Sequence, residues 1–196
     1  MSVNWNPKSR RYERNGKTIN PKTVRGWVDS FVSKSKDRVG KLAEDFRDGK
    51  INRSAWYTGT RQAIKEMHMA TSMIANGGRS QMTVKEWGQA GNLIKGQLKY
   101  LDKFNNELFN GADFNDAMVA RAKMYADAGY AGYENMVRER ERAAGIRRVR
   151  RLLGASKESC DGCLAAQGEY DIEDAPPIGG QDCLSRCHCY YEEVAA

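Results

Sequence analysis

Two stretches in the first half of the chain repeat apolar residues at intervals of three or four, the spacing of an amphipathic α-helix. The first begins at Asn20, which suits an N-cap, and Pro21, which suits the first helical position, and it ends at Asp48. The second runs from about Arg53 to Asn76. The apolar positions that we expect to face a common core are Val24, Trp27, Val28, Phe31, Val39, Leu42, Phe46, Trp56, Ala63, Met67, Ala70 and Ile74.

Two further helices are predicted in the second half. The third opens on a capping box, in which Thr83 and Glu86 satisfy each other's free backbone amides, and it closes at Asn110. The fourth runs from about Phe114 to Arg142. Because short polar breaks separate the four helices, the pattern predicts a mainly α fold, built as a helical bundle or hairpin array.

After the fourth helix the helical spacing stops. Residues 148–153 and 189–194 are typical of short β-strands, and the segment between them holds every cysteine of the chain. Because the two strands leave the cysteines side by side in opposite directions, we expect them to pair as an antiparallel β-ribbon. The chain is therefore divided into a basic N-terminal arm (1–19), a helical domain (20–145) and a cysteine-rich module (146–196).

The spacing of the five cysteines predicts a structural zinc site. Cys160 and Cys163 form a Cys-x2-Cys turn, and Cys183, Cys187 and Cys189 follow after a long loop. Two short thiol pairs separated in this way match tetrahedral zinc coordination. We expect the first four thiols to bind the zinc ion, with Cys189 as the alternative fourth ligand. A segment of about forty residues buries too little apolar surface to fold alone, so a metal would hold it together.

Other interpretations of the cysteines are open. A disulfide pair with one free thiol is disfavoured by the odd count and by the basic, polar N-terminus, which lacks the apolar region of a signal peptide. A redox site is disfavoured because Asp161 and Glu158 surround the first turn with negative charge. His188 is a substitute ligand in principle, but we interpret it as an exposed histidine.

Charge is distributed unevenly along the 196 residues, whose formal net charge is +7. From Glu158 onward the chain holds nine acidic residues and one basic residue, so the preceding part carries 31 Lys/Arg against 16 Asp/Glu. A basic body suits nucleic acid or an acidic protein, or is simply a solvated helix surface. The densest basic cluster, which we predict to contact DNA or a partner, is Arg147, Arg148, Arg150 and Arg151.

Motifs of enzymes and of membrane proteins do not occur. The chain has two histidines, and it contains no phosphate-binding glycine loop, nucleophile elbow or His-Glu-x-x-His motif. His68 is most simply a helix-surface or helix-interface residue. No stretch is long and apolar enough to be a transmembrane helix. We therefore expect a protein that is not an enzyme and does not associate with a membrane.

Six stretches of the chain carry a family resemblance. They are ESCDGC (158–163), PPIGGQDC (176–183), CLSRCHCYYE (183–192), TVRGWVDSF (23–31), QMTVKEWGQAGNLI (81–94) and ARAKMYADAGYAGYE (120–134). In these stretches the chain resembles the minor head proteins of tailed bacteriophages, related to the Mu F-type head morphogenesis proteins. Many members end in His-Pro-x-Cys-Arg-Cys, where this chain has Cys183 near the place of the histidine and Cys-His-Cys at the end.

The resemblance implies a structural and assembly component of the phage head, made in the host cytoplasm and located in the virion. It further implies association with the portal protein, the major capsid protein or both, self-association in the particle, and proximity to packaged DNA. A zinc-containing nucleic-acid-binding regulator is the alternative. The basic body favours a regulator, but the acidic cysteine segment would be repelled by phosphates, and no helix-turn-helix or zinc-finger spacing is found.

Overall fold

Four long helices form the body of the protein in the computed structural model, which describes residues 3–154 and 159–194. Helix α1 spans Pro21–Arg47, α2 spans Arg53–Ala75, α3 spans Val84–Phe109 and α4 spans Asp116–Ala143. Helices α1, α2 and α4 pack against one another, whereas α3 packs mainly on α2. The predicted mainly α fold is confirmed.

Side-chain caps set the beginnings of these helices; those at Asn20 and Thr83 were expected from the sequence, and those at Asn52 and Asn115 were not. The side chains of Asn20, Asn52 and Asn115 each accept a hydrogen bond from a backbone N–H in the first turn of α1, α2 and α4. Thr83 and Glu86 form the capping box of α3. Each cap satisfies a backbone donor that helix geometry leaves without an intrahelical partner, and this explains why the boundaries follow the sequence pattern closely.

Aromatic side chains fill one end of the helical core. Trp56 is fully buried, stacks on Phe46 with ring centroids 5.6 Å apart, and meets the edge of Phe104 at 5.3 Å. Phe114, in the loop before α4, contacts all three rings. Aromatic pairs in these geometries contribute about 1 kcal/mol beyond their buried area. The cluster therefore ties α1, α2 and α3 together at the point where α4 begins.

The segment predicted as a basic N-terminal arm (1–19) carries a small antiparallel sheet. Its strands are β1 (Asn4–Asn6), β2 (Arg11–Arg14) and β3 (Lys17–Ile19), in the order β1-β2-β3. Tyr12 in β2 is buried, and its hydroxyl donates a hydrogen bond to the Ala75 carbonyl at the end of α2. Strands of three or four mostly polar residues have too short a pattern for sequence periodicity to identify.

A second antiparallel sheet organises the C-terminal module. It consists of β4 (Arg148–Leu152), β5 (Gly168–Asp171) and β6 (Tyr190–Glu193), with β4 in the centre. Arg151 pairs with Tyr191 and Leu152 with Tyr190, so the predicted antiparallel ribbon is confirmed. The third strand, β5, was not predicted, because glycine and aspartate, which begin and end it, are depleted in strands.

A buried ion pair joins this module to the helical body. The Glu134 carboxylate on α4 is 1% exposed and accepts hydrogen bonds from Arg25 Nε of α1 at 3.4 Å and from the Tyr191 N–H of β6 at 3.5 Å. The Arg25 guanidinium also donates to the Tyr191 carbonyl at 3.2 Å and lies 4.1 Å from the centre of the Tyr190 ring. Three separate elements therefore meet at one carboxylate.

Glu134 should make the stability of the protein depend on pH. Burial raises the pKa of Glu134 from 4.5 to about 7, although Arg25 and the Tyr191 N–H act in the opposite direction. The folded state then binds the proton more tightly than the unfolded state, so the free energy of unfolding falls as pH rises from 4.5 to about 7. Relative to wild type, Glu134→Gln should gain up to about 3 kcal/mol across this interval.

Urea denaturation at several pH values between 4 and 8 measures this difference. Asp37→Asn, which changes an exposed carboxylate on α1, serves as the control and should follow the wild-type curve. Parallel curves for wild type and Glu134→Gln would show that the carboxylate is not charged and buried in the folded protein.

Candidate metal centre

Five thiols converge at one end of the second sheet. The Sγ atoms of Cys160, Cys163 and Cys183 lie within 4.8 Å of one another, and so do those of Cys163, Cys187 and Cys189. Cys163 belongs to both groups, because its Sγ is 3.3 Å from that of Cys183 and 3.6 Å from that of Cys187. The four predicted ligands and the alternative ligand thus form one cluster around Cys163.

Two tight turns bring the thiols together. Cys160 is the N-cap of a short helix, α5 (Asp161–Ala165), and its carbonyl accepts the Cys163 N–H at 2.9 Å. Cys183 and Cys187 flank a single 3₁₀ turn, and the strand β6 begins directly after Cys189. The turns place side chains that are distant in sequence at one point. Glu158, which we expected beside the first turn, lies outside the described residues.

The donor set and its dimensions fit a metal ion. All five cysteines are free thiols, and an all-sulfur site suits a soft or borderline metal such as zinc, copper(I) or iron. In a tetrahedral tetrathiolate with metal–sulfur bonds of about 2.3 Å, the sulfur atoms lie about 3.8 Å apart. The distances from Cys163 to its neighbours are close to that value. The cluster can therefore hold a metal ion.

The thiols differ in how readily they ionise. Burial raises the pKa of Cys163 and Cys183, and it raises the pKa of Cys189 to about 12. Burial also acts on Cys160 and Cys187, but backbone N–H groups outweigh it and lower the pKa of both thiols. Metal ligation requires thiolates, and a bound cation would favour ionisation of every thiol beside it. Cys187 and Cys189 both lie in the group around Cys163, so the geometry keeps both as candidates for the fourth ligand.

Arg151 lies inside the cluster and requires a correction. Its side chain is 1% exposed, so the prediction that it contacts DNA or a partner does not hold. One guanidinium nitrogen donates to the Ala166 carbonyl at 3.3 Å, and another lies 3.6 Å from Cys163 Sγ and 4.0 Å from Cys187 Sγ. Successive side chains of a strand point to opposite faces, so Arg151 faces the thiols while Arg150 faces solvent.

The burial of Arg151 indicates that the cluster is anionic. A buried guanidinium costs several kcal/mol unless an anion or a full set of hydrogen bonds offsets the loss of water. Its polar contacts in the described chain include no carboxylate, and Arg151 Nε has no hydrogen-bond partner there. If the cysteines bind a metal, the thiolates of Cys163 and Cys187 would supply the counter-charge. Four thiolates around a divalent ion carry a net charge of −2, which the guanidinium reduces.

The other predicted arginines lie on the surface. Arg147, Arg148 and Arg150 are exposed, and Arg148 and Arg150 form ion pairs with Glu169 of β5 at 3.1 and 2.5 Å. Part of their charge is thus neutralised within the module. A DNA or partner contact stays a prediction for these three residues.

Neither histidine belongs to the groups of candidate metal ligands in the described residues. The His188 ring packs beside Tyr130, with centroids 5.0 Å apart, and is partly buried rather than exposed. His68 of α2 is 1% exposed and faces Gly132 of α4, so it is an interface residue. Burial lowers the pKa of His68 to about 4, which keeps the ring neutral at physiological pH.

Comparisons with models of known protein families, with curated proteins and with solved structures give no match for this chain. Among the described residues, no helix has the length and apolar character needed to cross a membrane. The functional interpretation therefore depends on the geometry of the site and on the stretches that resemble phage minor head proteins.

Loss of the first two thiols should unfold the module and leave the helices folded. The helical body has its own core, whereas the module is built around the cysteines and packs on α4 at Ala131. In Cys160→Ser/Cys163→Ser we expect trypsin to cut after about Arg151, while the helical circular dichroism signal is retained. Cys189→Ser should stay protected if, as the sequence predicts, Cys187 supplies the fourth thiolate. A double variant as resistant as wild type would show that the thiols do not hold the module.

Arg151 should determine the metal affinity of the cluster. Outer-shell partners of metal ligands typically contribute 10- to 100-fold to affinity, so Arg151→Met should bind metal at least tenfold more weakly than wild type. Arg150→Met, one residue away and exposed, should bind like wild type. Competition with a chromogenic chelator measures the metal affinity of wild type and of the two variants. Equal affinities would show that the guanidinium does not act on the thiolates.

Proposed function

We propose that this protein is a structural and assembly component of a tailed-phage head. In this role it is a minor head protein that associates with the portal protein, the major capsid protein or both, and with sibling copies in the particle. It is made in the host cytoplasm and resides in the virion head.

One observation carries this proposal. Five of the six stretches that resemble the head proteins contribute residues to the cysteine cluster or to its contact with the helices, whereas 81–94 leads into α3. CLSRCHCYYE (183–192) supplies three thiols and most of β6, and ARAKMYADAGYAGYE (120–134) ends at Glu134, which binds β6. What supports the proposal is that most of these stretches lie where the C-terminal module is fixed to the helices.

We infer that the metal is zinc and that its role is structural. Zinc favours tetrahedral thiolate coordination and has no redox chemistry of its own. The cavity among the cysteines is about 20 Å³, too small for a substrate, so the site resembles a closed structural centre rather than an open catalytic one. The module would then be a rigid part of the surface that partners recognise.

Exposed apolar side chains support a role in assembly. Val84 and Phe109, at the two ends of α3, are 90% and 71% exposed, and Leu184 in the second thiol turn is 60% exposed. Large exposed apolar side chains are costly in water and are typical of surfaces that pack against another protein. They are candidate contacts for portal, capsid or sibling chains.

A zinc-containing nucleic-acid-binding regulator is the second candidate. The observation that favours it is a row of lysines on α3 without acidic partners, described below. The two candidates differ in location, since a regulator would stay in the infected cell and a head component would leave with the particle.

Elemental analysis tests the metal. Protein purified without added metal or chelator should contain about one zinc ion per chain, and cobalt(II) substitution should give the absorption spectrum of a tetrahedral thiolate site. Iron in place of zinc, or a metal-free protein with disulfide-bonded cysteines, would contradict the assignment.

Mass spectrometry of purified particles tests the head role. Calibrated against the major capsid protein, it should find a few copies of this chain per particle. Particles made with Cys160→Ser/Cys163→Ser should lack the protein or form in reduced number, whereas Cys189→Ser should be incorporated normally. If the wild-type chain is found in infected cells but not in particles, the regulator is favoured.

A further inference from the structure

The outward face of α3 carries four lysines in one row. At 100° per residue, Lys85, Lys95 and Lys103 lie within about 40° of Lys99 around the helix axis, and the row is about 27 Å long. All four side chains are exposed. None forms an ion pair within the described part of the chain, in contrast to Arg148 and Arg150 of the module, which share Glu169.

The acidic residues of α3 do not neutralise this row. Asp102 accepts a hydrogen bond from the Tyr57 hydroxyl of α2 at 2.5 Å and lies 3.6 Å from Arg61. Glu107 forms an ion pair with Arg121 of α4. The carboxylates of Asp102 and Glu107 are thus occupied by neighbouring helices. Glu86, the third acidic residue of α3, accepts the Thr83 N–H in the capping box and lies beside Lys85. The positive potential of Lys95, Lys99 and Lys103 therefore extends into solvent.

Two glycines lie between the lysines on the same face. A Cβ atom built at Gly88 or at Gly96 would meet no atom within 4 Å, so neither glycine serves packing within the chain. Gly129 of α4 differs, because a Cβ there would overlap the sulfur of Met67. Glycine destabilises a helix interior relative to alanine. Gly88 and Gly96 lie between the lysines of the row, and the absence of a side chain there leaves the helix backbone accessible to a partner.

The chemistry of this face indicates a phosphate backbone as the partner. Lysine is a compact point charge that binds phosphates without fixed geometry. The exposed positions along the middle of this face are Gly88, Asn92 and Gly96. The exposed apolar side chains of α3, which are Val84, Tyr100 and Phe109, lie at the ends or at the edge of the row, so its centre lacks the anchors of a protein interface. Single-stranded nucleic acid requires aromatic stacking platforms, and Tyr100 lies only at the edge of the row. A nucleic-acid duplex can be bound through its phosphates without apolar anchors or aromatic stacking platforms.

We propose that the α3 row, defined as Lys85, Lys95, Lys99 and Lys103, binds duplex nucleic acid through its phosphates and independently of sequence. This surface is separate from the arginines that the sequence indicated. It adds a partner to the proposed head role and is tested with the purified protein, so it can fail while the head role stands.

A matched pair of charge variants tests the proposal. Lys95→Gln/Lys99→Gln/Lys103→Gln removes three charges from the row, and Lys17→Gln/Lys22→Gln/Lys34→Gln removes three exposed lysines elsewhere. Binding to a labelled duplex of about 30 base pairs is measured by fluorescence anisotropy over a range of salt concentrations. At about 0.1 M salt the row variant should bind at least tenfold more weakly, and its slope of log K against log salt should fall by about 3. The control variant should keep the wild-type affinity and the wild-type salt slope.

A second pair of variants separates binding from folding. Gly96→Gln adds a neutral, helix-favouring side chain to the row, and Gly26→Gln adds the same side chain to an equally open position of α1. Both should raise the melting temperature of the protein, since glutamine replaces glycine in a helix. Only Gly96→Gln should weaken duplex binding, by about threefold or more.

Three results would overturn the proposal. The first is a wild-type protein that does not bind the duplex at low salt. The second is an equal loss of affinity in the two triple variants, which would show that binding depends on the net charge of the protein and not on this row. The third is binding of polyglutamate without binding of DNA, which would assign the row to an acidic protein.

Discussion

The contact between Arg151 and the thiols of Cys163 and Cys187 is the interaction on which the C-terminal module depends. A buried cation is stable only beside an anion, and thiolates packed this closely are stable only if a cation offsets their repulsion. A metal ion bound by the cysteines and the guanidinium would together provide that positive charge. The guanidinium belongs to β4, the centre strand of the sheet. Formation of the sheet therefore places the positive charge beside the thiols.

The module and the helical body are stabilised by different means. The body has cores of aromatic and aliphatic side chains in which Trp56 and Phe104 are fully buried. The module's own cluster is smaller and contains three buried cysteines among aliphatic residues such as Val149 and Ile172, so a metal bound by the thiols would add the cross-link that this core lacks. Glu134 joins the two parts by binding β6 and α1 at once. This contact fixes the orientation of the module relative to α4. A partner that binds the module would therefore meet the helical body in a defined orientation.

Surface charge and metal binding are carried by different parts of the chain. The metal centre is enclosed, and its arginine is unavailable to a partner. The surface arginines of β4 are paired with Glu169, whereas the four lysines of the α3 row form no ion pair among the residues that the structure describes. For a head component this arrangement would leave the module free to bind protein while a helix of the body faces nucleic acid.

The sequence by itself determined the four helices, the caps of α1 and α3, the pairing of β4 with β6 and the thiols that cluster. These are local features: a cap such as Asn20 or a turn such as Cys160 to Cys163 is specified by residues a few positions apart. Only the tertiary structure decided which side of β4 faces the thiols. The four arginines between positions 147 and 151 predict a single basic surface patch. Arg151 is nevertheless buried, because successive side chains of a strand point to opposite faces of the sheet. The N-terminal sheet and β5 also form through contacts with distant elements, since short polar strands gain their stability from what they pack against rather than from their own pattern.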